Sequence, residues 1–296
     1  MTRRHWLTQN LAAALATQFP GPLSTSLLAM NTFTAPAFRP IIRRVVLRTA
    51  NAARLAEFYQ RVLGLVPRAD ASDKQTISLH HPGSGDVLLT LIEDKNARPV
   101  SPEAPGLFHI AFLFADLADW RPIVRRAIAA TDRFHGASDH GVSWAVYLED
   151  PDGNGLELAW DKPANEWPWH GDQIQMVSRA LPLRSILLKG ETDLDSIGAF
   201  SIGHLHLQVS DLSEVDAYRS RLGLRVTQSD YPGALFFARG DYHHHLAINT
   251  WRTNARVSRL ENATGLVGWD MTAPETAPSA SSWSDPAGSL VTLLPA

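Results

Sequence analysis

IIRRVVLRTANAARLAEFYQRVLGLVPR, residues 41–68, recurs in outline as SIGHLHLQVSDLSEVDAYRSRLGLRVTQ, residues 201–228, with a single one-residue gap in the loop. Each copy reads as an alternating strand, a loop, an amphipathic helix carrying Tyr59 or Tyr218, then Leu-Gly-Leu and a second strand. Two further strand-like runs follow each copy: QTISLHH and DVLLTLIED after the first, GALFFAR and HHHLAINTW after the second. The repeating unit is therefore β-α-β-β-β.

Two more stretches fit the same plan. GLFHIAFLFADLADWRPIVRRAIAA (106–130) is a strand followed by a helix, and VSWAVYLEDPDGNGLELAW (142–160) is a hairpin around a Pro-Asp-Gly-Asn turn. GLVGWDMTAPE and SSWSDPAGSLVTLLPA make a fourth unit that lacks the helix. The modules run over 41–95, 106–160, 199–251 and 263–296. In chain order they predict a first domain over 41–165 (modules one and two), a linker over 166–198 read as helical, and a second domain over 199–296 (modules three and four). One such module cannot cover its own sheet face. The expected fold is α+β, with four βαβββ modules pairing into two open, curved mixed-sheet barrels, each with a concave interior suited to a ligand.

Composition narrows the chemistry. At 296 residues and 45% hydrophobic content, the chain can bury one large core or two medium ones. A net charge of −3, without a Lys/Arg cluster, argues against nucleic acid as a partner. Cysteine is absent, which excludes disulfides, thiolate ligands and thiol nucleophiles, so any metal must be held by carboxylates and the twelve histidines. No apolar run reaches the roughly 18–20 residues of a membrane span. Residues 1–40 stand outside the fold; paired Arg3 and Arg4 before a small apolar stretch resemble a twin-arginine export signal, while Met30 offers an alternative start. A cytoplasmic location is expected, with export as the alternative.

The repeated plan, together with FYQRVLGL, GLFHIAF and YLEDPDGNGLEL, resembles the glyoxalase/bleomycin-resistance/extradiol-dioxygenase superfamily, also called vicinal oxygen chelate, over residues 41–296. Within it, GHLHLQVSDL, GDYHHHLAINTW and YLEDPDGNGLELAWDKPANEWP are similar to two-domain catechol 2,3-dioxygenase-type proteins. The resemblance implies metal ligands on the first and last strands of modules. Module one offers Arg44 there, module two His109 and Glu157, module three His204 and His244 or a neighbour, module four only Gly268 and Thr292. Modules paired in chain order leave both sites incomplete. Pooling modules two and three gives His109, His204 and Glu157, the two-His-one-carboxylate set of non-haem Fe(II) oxygenases. The expectation is that these two modules jointly form the site, within one chain or across subunits of a homo-oligomer.

The extradiol motif of that family runs here as His140, GVSWA, Val146, Tyr147, LE, Asp150-Pro151-Asp152-Gly153, NGL and Glu157, departing only at Ser138. The resemblance assigns His140 and Tyr147 to substrate and oxygen, and a further histidine, best aligned at His244, to the dioxygen side; strand alternation sets His244 opposite to His243 and His245. His206 shares a face with His204 and is a rival ligand. Arg44 reads as a plug in an inactive barrel, and Trp160, Trp167 and Trp169 as packing or an aromatic lid. The implied activity is extradiol cleavage of a small aromatic diol by O₂ with Fe(II), Mn(II) being the alternative. Competing readings are a glyoxalase-type isomerase or lyase, which needs a further carboxylate or amide ligand, and a metal-free binding protein of the bleomycin-resistance kind.

Overall fold

The computed structural model describes residues 40–189, 197–274 and 280–295. The export-signal reading falls on residues outside that set. No helix among the described residues is long and apolar enough to cross a membrane.

Module one is β1 (Ile42–Thr49), α1 (Ala52–Leu63), β2 (Val66–Ala69), β3 (Thr76–His80) and β4 (Val87–Glu93). Module two is β5 (Gly106–Phe114), α2 (Leu117–Ala130), β6 (Phe134–Asp139), β7 (Ser143–Glu149) and β8 (Gly155–Asp161). The connector carries β9 (Trp169–His170), β10 (Gln173–Ile174), β11 (Arg179–Ala180) and α3 (Leu183–Leu187). Module three is β12 (Phe200–Gln208), α4 (Val215–Leu222), β13 (Arg225–Gln228), β14 (Ala234–Ala238) and β15 (Leu246–Asn249); module four is β16 (Gly265–Thr272), β17 (Ser281–Ser284) and β18 (Leu290–Leu294). Asn51 starts α1 by accepting from the Arg54 amide at 2.9 Å, and Gly64 ends it with φ +70°. Apolar positions at helical spacing then bury Leu55, Tyr59, Val62 and Leu63 against the first sheet.

Two large sheets result. One has the order β17-β18-β16-β1-β4-β3-β2, joining modules one and four; the other, β11-β6-β7-β8-β5-β12-β15-β14-β13, joins modules two and three. The sheets therefore cross the chain-order boundaries at 165 and 199, whereas the helices respect them. α1 packs on α2, and the buried Tyr59 hydroxyl donates to Asp150 in the turn of module two at 3.0 Å. Likewise Tyr218 of α4 accepts from the Ala287 amide, in the Asp285-Pro286-Ala287-Gly288 turn of module four, at 3.3 Å. Sheets couple one pair of modules and helices the other, which ties all four together.

The linker is not the expected helix. Among its described residues only a short helix, Leu183–Leu187, forms; residues 173–180 run extended, β11 pairing with β6 at one edge of the second sheet. At the other edge Gln228 of β13 accepts from the Met176 amide at 3.1 Å, and Arg225 reaches the Asp172 carbonyl at 2.8 Å. The connector thus straps the open seam of the curved sheet. Its Pro163, Pro168 and Gly171 suit turns and short strands rather than a helix.

Asp150 gives a stability prediction. Its carboxylate accepts from the amides of Asp152 and Asn154 at 2.9 Å, from Asn154 Nδ2 at 2.7 Å and from Tyr59. Burial, only partly offset by the Asn154 hydrogen bonds, raises its pKa to about 6. Between the unfolded value near 3.9 and about 6 the folded chain binds the extra proton, so this group's contribution falls as pH rises through that window, by on the order of 3 kcal/mol. Urea midpoints at pH 4, 5, 6 and 7 should show a shallower decline for Asp150→Asn than for the parent. Equal slopes would remove Asp150 as the titrating group.

Candidate metal centre

Ala111 sits at the middle of the second sheet, opposite Glu157 of β8 on one side and His204 of β12 on the other. His109, two residues earlier on β5, shares its face. A methyl group between the two flanking side chains lets both lean over the central strand towards His109. Glu157 Oε2 lies 3.0 Å from His109 Nε2 and 3.4 Å from His204 Nε2, and the two nitrogens are 3.3 Å apart. All three residues are 95% or more buried, and theirs is the one cluster of three metal-ligating side chains among the described residues. Gly155 permits the close approach of β8, because a Cβ there would meet the Phe108 carbonyl oxygen at 2.1 Å.

These separations test the fit of a cation. For bonds of about 2.1 Å, ligands at 90° lie about 3.0 Å apart and tetrahedral ligands about 3.4 Å apart. The observed 3.0, 3.3 and 3.4 Å fall in that interval. The donor set, two imidazoles and one carboxylate on one face, fits a divalent first-row metal with positions left open. Burial alone would raise the pKa of Glu157, but the His204 and His109 imidazoles outweigh it and hold the carboxyl well below its usual range. Burial lowers the pKa of His109. An anionic carboxylate and a neutral imidazole are the protonation states that ligate metal. Enlarging the central residue, Ala111→Val, should cut the metal-to-protein ratio measured by elemental analysis at least tenfold while the chain stays folded.

His140 sits in the β6–β7 turn. Asp139 shapes that turn, accepting from the Gly141 amide at 2.8 Å and from Lys162 Nζ at 2.6 Å, and Gly141 takes φ +82°. His140 Nδ1 lies 2.7 Å from the Val177 carbonyl of the strap, and Nε2 lies 2.6 Å from the Tyr147 hydroxyl. A carbonyl can only accept, so Nδ1 carries a proton, and in the neutral ring Nε2 accepts from Tyr147. Tyr147 stands opposite Glu157 in the β7–β8 ladder; burial, then the Glu157 charge, push its pKa well above the usual value and keep it protonated.

The histidine triplet differs from its expected placement. β15 begins at Leu246, and His243, His244 and His245 occupy the bend before it, so strand alternation does not set their directions. Hydrogen bonds do. His243 Nε2 donates to Asp161 Oδ1 at 3.0 Å, His243 Nδ1 and His244 Nδ1 are 2.7 Å apart, and His245 Nδ1 accepts from the Arg239 amide at 3.2 Å. Since Asp161 fixes the proton on His243 Nε2, His243 Nδ1 accepts from His244, leaving a lone pair on His244 Nε2. The His244 ring is 4.1 Å from that of His204 and lines the same cavity. Asp161 and His243 carry no motif of their own, although Asp161 shares the Glu157 face by period-two spacing.

A cavity of about 740 Å³ opens over the triad and is also lined by His140, Tyr147, His206 and His244. The three ligand candidates and these histidines and tyrosine are thus gathered around one space from modules two and three of a single chain. In the other sheet, Arg44 faces neither Gly268 nor Thr292; it pairs with Asp270 at 2.8 Å, filling the related position with an ion pair. Trp167 packs edge-on to the His243 ring at 4.8 Å, and Trp160 lies against Trp144 at 5.1 Å. Trp169 lies under the Arg225 guanidinium at 5.2 Å.

Comparison with known proteins follows the same lines. The model of the Glyoxalase/Bleomycin resistance protein/Dioxygenase superfamily matches residues 41–158. A Bacillus subtilis (strain 168) protein named catechol-2,3-dioxygenase is 34% identical over 224 residues, covering 72% of this chain and 75% of its own. Among solved structures, glyoxalase I of Zea mays superposes with a TM-score of 0.52 at 15% identity, over 86% of this chain and 92% of that one. A Bacillus subtilis subsp. subtilis str. 168 structure assigned as a dioxygenase gives 0.57 at 12% identity, over 86% and 84%. At those identities the two structures establish the fold alone.

Proposed function

Since the chain belongs to the glyoxalase/bleomycin resistance protein/dioxygenase superfamily, we propose that it is a metal-dependent extradiol dioxygenase, cleaving a catechol-like diol with O₂ at the His109–Glu157–His204 centre. The observation that carries this reading is the pairing of that triad with a hydrogen-bonded His140–Tyr147 couple in one buried cavity. The relative named catechol-2,3-dioxygenase supports it.

Fe(II) bound to these donors would supply open positions for both diol oxygens and O₂, one-electron chemistry, and acidification of a chelated hydroxyl. Mn(II) suits the same donors. The chain itself handles protons and position. A diol hydroxyl laid against Tyr147 can pass its proton to the tyrosine oxygen while the tyrosine passes its own to His140 Nε2; the Val177 carbonyl stabilises the resulting imidazolium at Nδ1. On the β12 side, His244 Nε2 can hold a second proton, its ring oriented through His243 by Asp161. Burial and the neighbouring imidazoles keep His244 neutral, its pKa well below the usual histidine value, so it begins as a base.

A glyoxalase-type reaction would call for a further carboxylate or amide donor; the metal-ligating cluster contains one carboxylate, and the other carboxylates and amides on the cavity wall are engaged elsewhere, Glu149 by His135, Asp152 by Arg54, Asn154 by Asp150 and Gln208 by the Pro102 and Ala104 carbonyls. A metal-free binding role leaves three convergent, buried ligand atoms without a purpose. The test is direct. Protein purified without oxygen and reloaded with Fe(II) should consume O₂ with at least one of a panel of plain and substituted catechols and give a yellow ring-opened product. Iron-loaded protein that takes up no O₂ with a panel of catechols would overturn the proposal.

A further inference from the structure

Of the buried imidazoles that line the cavity, His206 is the one the chemistry above leaves unused. It stands directly opposite His109 in the β5–β12 ladder, its ring centroid 4.9 Å from that of His109, and only 3% of the residue is exposed. Its Nε2 is buried without a hydrogen-bond partner. Leaving a polar group so placed costs roughly 1–3 kcal/mol, so an unpartnered nitrogen on a cavity wall points to something that arrives there.

The surroundings say what it meets. His206 is not within the metal-ligating cluster, which ends at His109, Glu157 and His204. Around His206 lie Phe108 at 5.1 Å, Trp251 at 5.0 Å and Phe236 at 5.9 Å between ring centroids, and Phe108 also reaches His109 at 5.5 Å. Trp251 is 42% exposed, and the Arg252 guanidinium lies over the Phe108 ring at 5.2 Å, so this aromatic wall runs from the centre to the cavity mouth. A diol held at the triad would have this wall beside its outer ring edge. His140 and Tyr147 stand on the β8 side and His244 on the β15 side, leaving His206 to face the ring's substituent rather than its two chelating oxygens.

Resting on the diol reading, we infer that His206 is a specificity-determining residue that hydrogen-bonds a polar atom carried on the substrate ring beside the chelating pair. The substrate class is therefore a diol with a hydrogen-bonding substituent, such as a hydroxyl, carbonyl or carboxylate, rather than catechol itself. A neutral imidazole at this position offers one donor and one acceptor nitrogen to such a substituent.

The experiment is anaerobic binding to the Fe(II)-loaded full chain, with catechol, 3-methylcatechol and pyrogallol competing against 4-nitrocatechol, whose absorbance reports binding. The parent should prefer pyrogallol to 3-methylcatechol by about tenfold or more. His206→Val should lose that preference while keeping its metal content, and His206→Gln, which retains a donor and an acceptor, should restore part of it. No preference in the parent, or an unchanged preference in His206→Val, would overturn the inference. So would loss of metal from His206→Val, because His206 would then be a ligand. Binding is read without turnover, so absence of O₂ uptake would defeat the dioxygenase proposal and leave this result standing.

Discussion

Glu157→Gln is expected to abolish O₂ uptake and to lower metal occupancy at least tenfold, the largest single-residue effect on the centre. Glu157 is the only anionic donor in the cluster, and its Oε2 is the atom common to the contacts with His109 and His204. An amide of the same shape keeps the packing but brings no charge. If its nitrogen turns inwards, an N–H points at the lone pairs a cation needs. In the metal-free protein the same carboxylate is held ionised by the two imidazoles, with a folded pKa below the unfolded value. Its stabilising contribution is therefore present above about pH 4.3 and is lost as pH falls through the folded pKa. The glutamine variant should accordingly lose less stability on acidification, and added Mn(II) should raise its thermal midpoint less than that of the parent. Elemental analysis, an oxygen electrode and thermal melts read the three effects. Full occupancy with full turnover in Glu157→Gln would place the metal elsewhere.

The parts of this centre that are legible in the sequence are those fixed by local pattern. Strand periodicity puts His204 and His206 on one face, and the repeat aligns β5 with β12, so His109 and His204 occupy related positions in two modules. The Asp-Pro-Asp-Gly turn then delivers Glu157 to the paired strand. Which modules meet is a tertiary matter, readable only because neither chain-order pair completes a ligand set. The strap departs from the expected helix because its apolar residues Ile174, Met176, Leu181, Ile186 and Leu187 lie at mixed spacing. Ile174 and Met176 pack in a small cluster with Ala234, Phe236 and Ala247 of the second sheet, and only Ile186 and Leu187 fall within the short α3, so no helical stripe runs along the strap. The orientation of the histidine triplet is also out of reach of pattern. It sits in a bend, where no period applies, and Asp161, from another module, settles it. Ala111 carries no signal at all, because what matters there is the absence of a side chain between two others.

His140→Gln should lower kcat by roughly 10²–10⁴ while leaving metal content unchanged, the range expected for loss of a positioned proton carrier. Geometry decides the size of this effect. His140 is oriented from both sides, by the Val177 carbonyl at Nδ1 and the Tyr147 hydroxyl at Nε2, so its ring is already aligned before substrate arrives. Glutamine can reproduce one of those hydrogen bonds but cannot take a proton. Tyr147→Phe breaks the same path at its other end, removing the oxygen through which the diol proton would travel. The two residues act in series, so their effects should not add. The double variant should be little worse than the poorer single one, so the coupling energy should match the milder single variant's whole loss, about 2.7 kcal/mol for a hundredfold effect. Independent roles would instead give additive losses. A structural role would appear as loss of metal or a lowered thermal midpoint in the single variants. Steady-state kinetics of the four proteins, loaded to equal iron content, separates these outcomes. Additivity would show that His140 and Tyr147 touch the substrate at different points rather than sharing one proton.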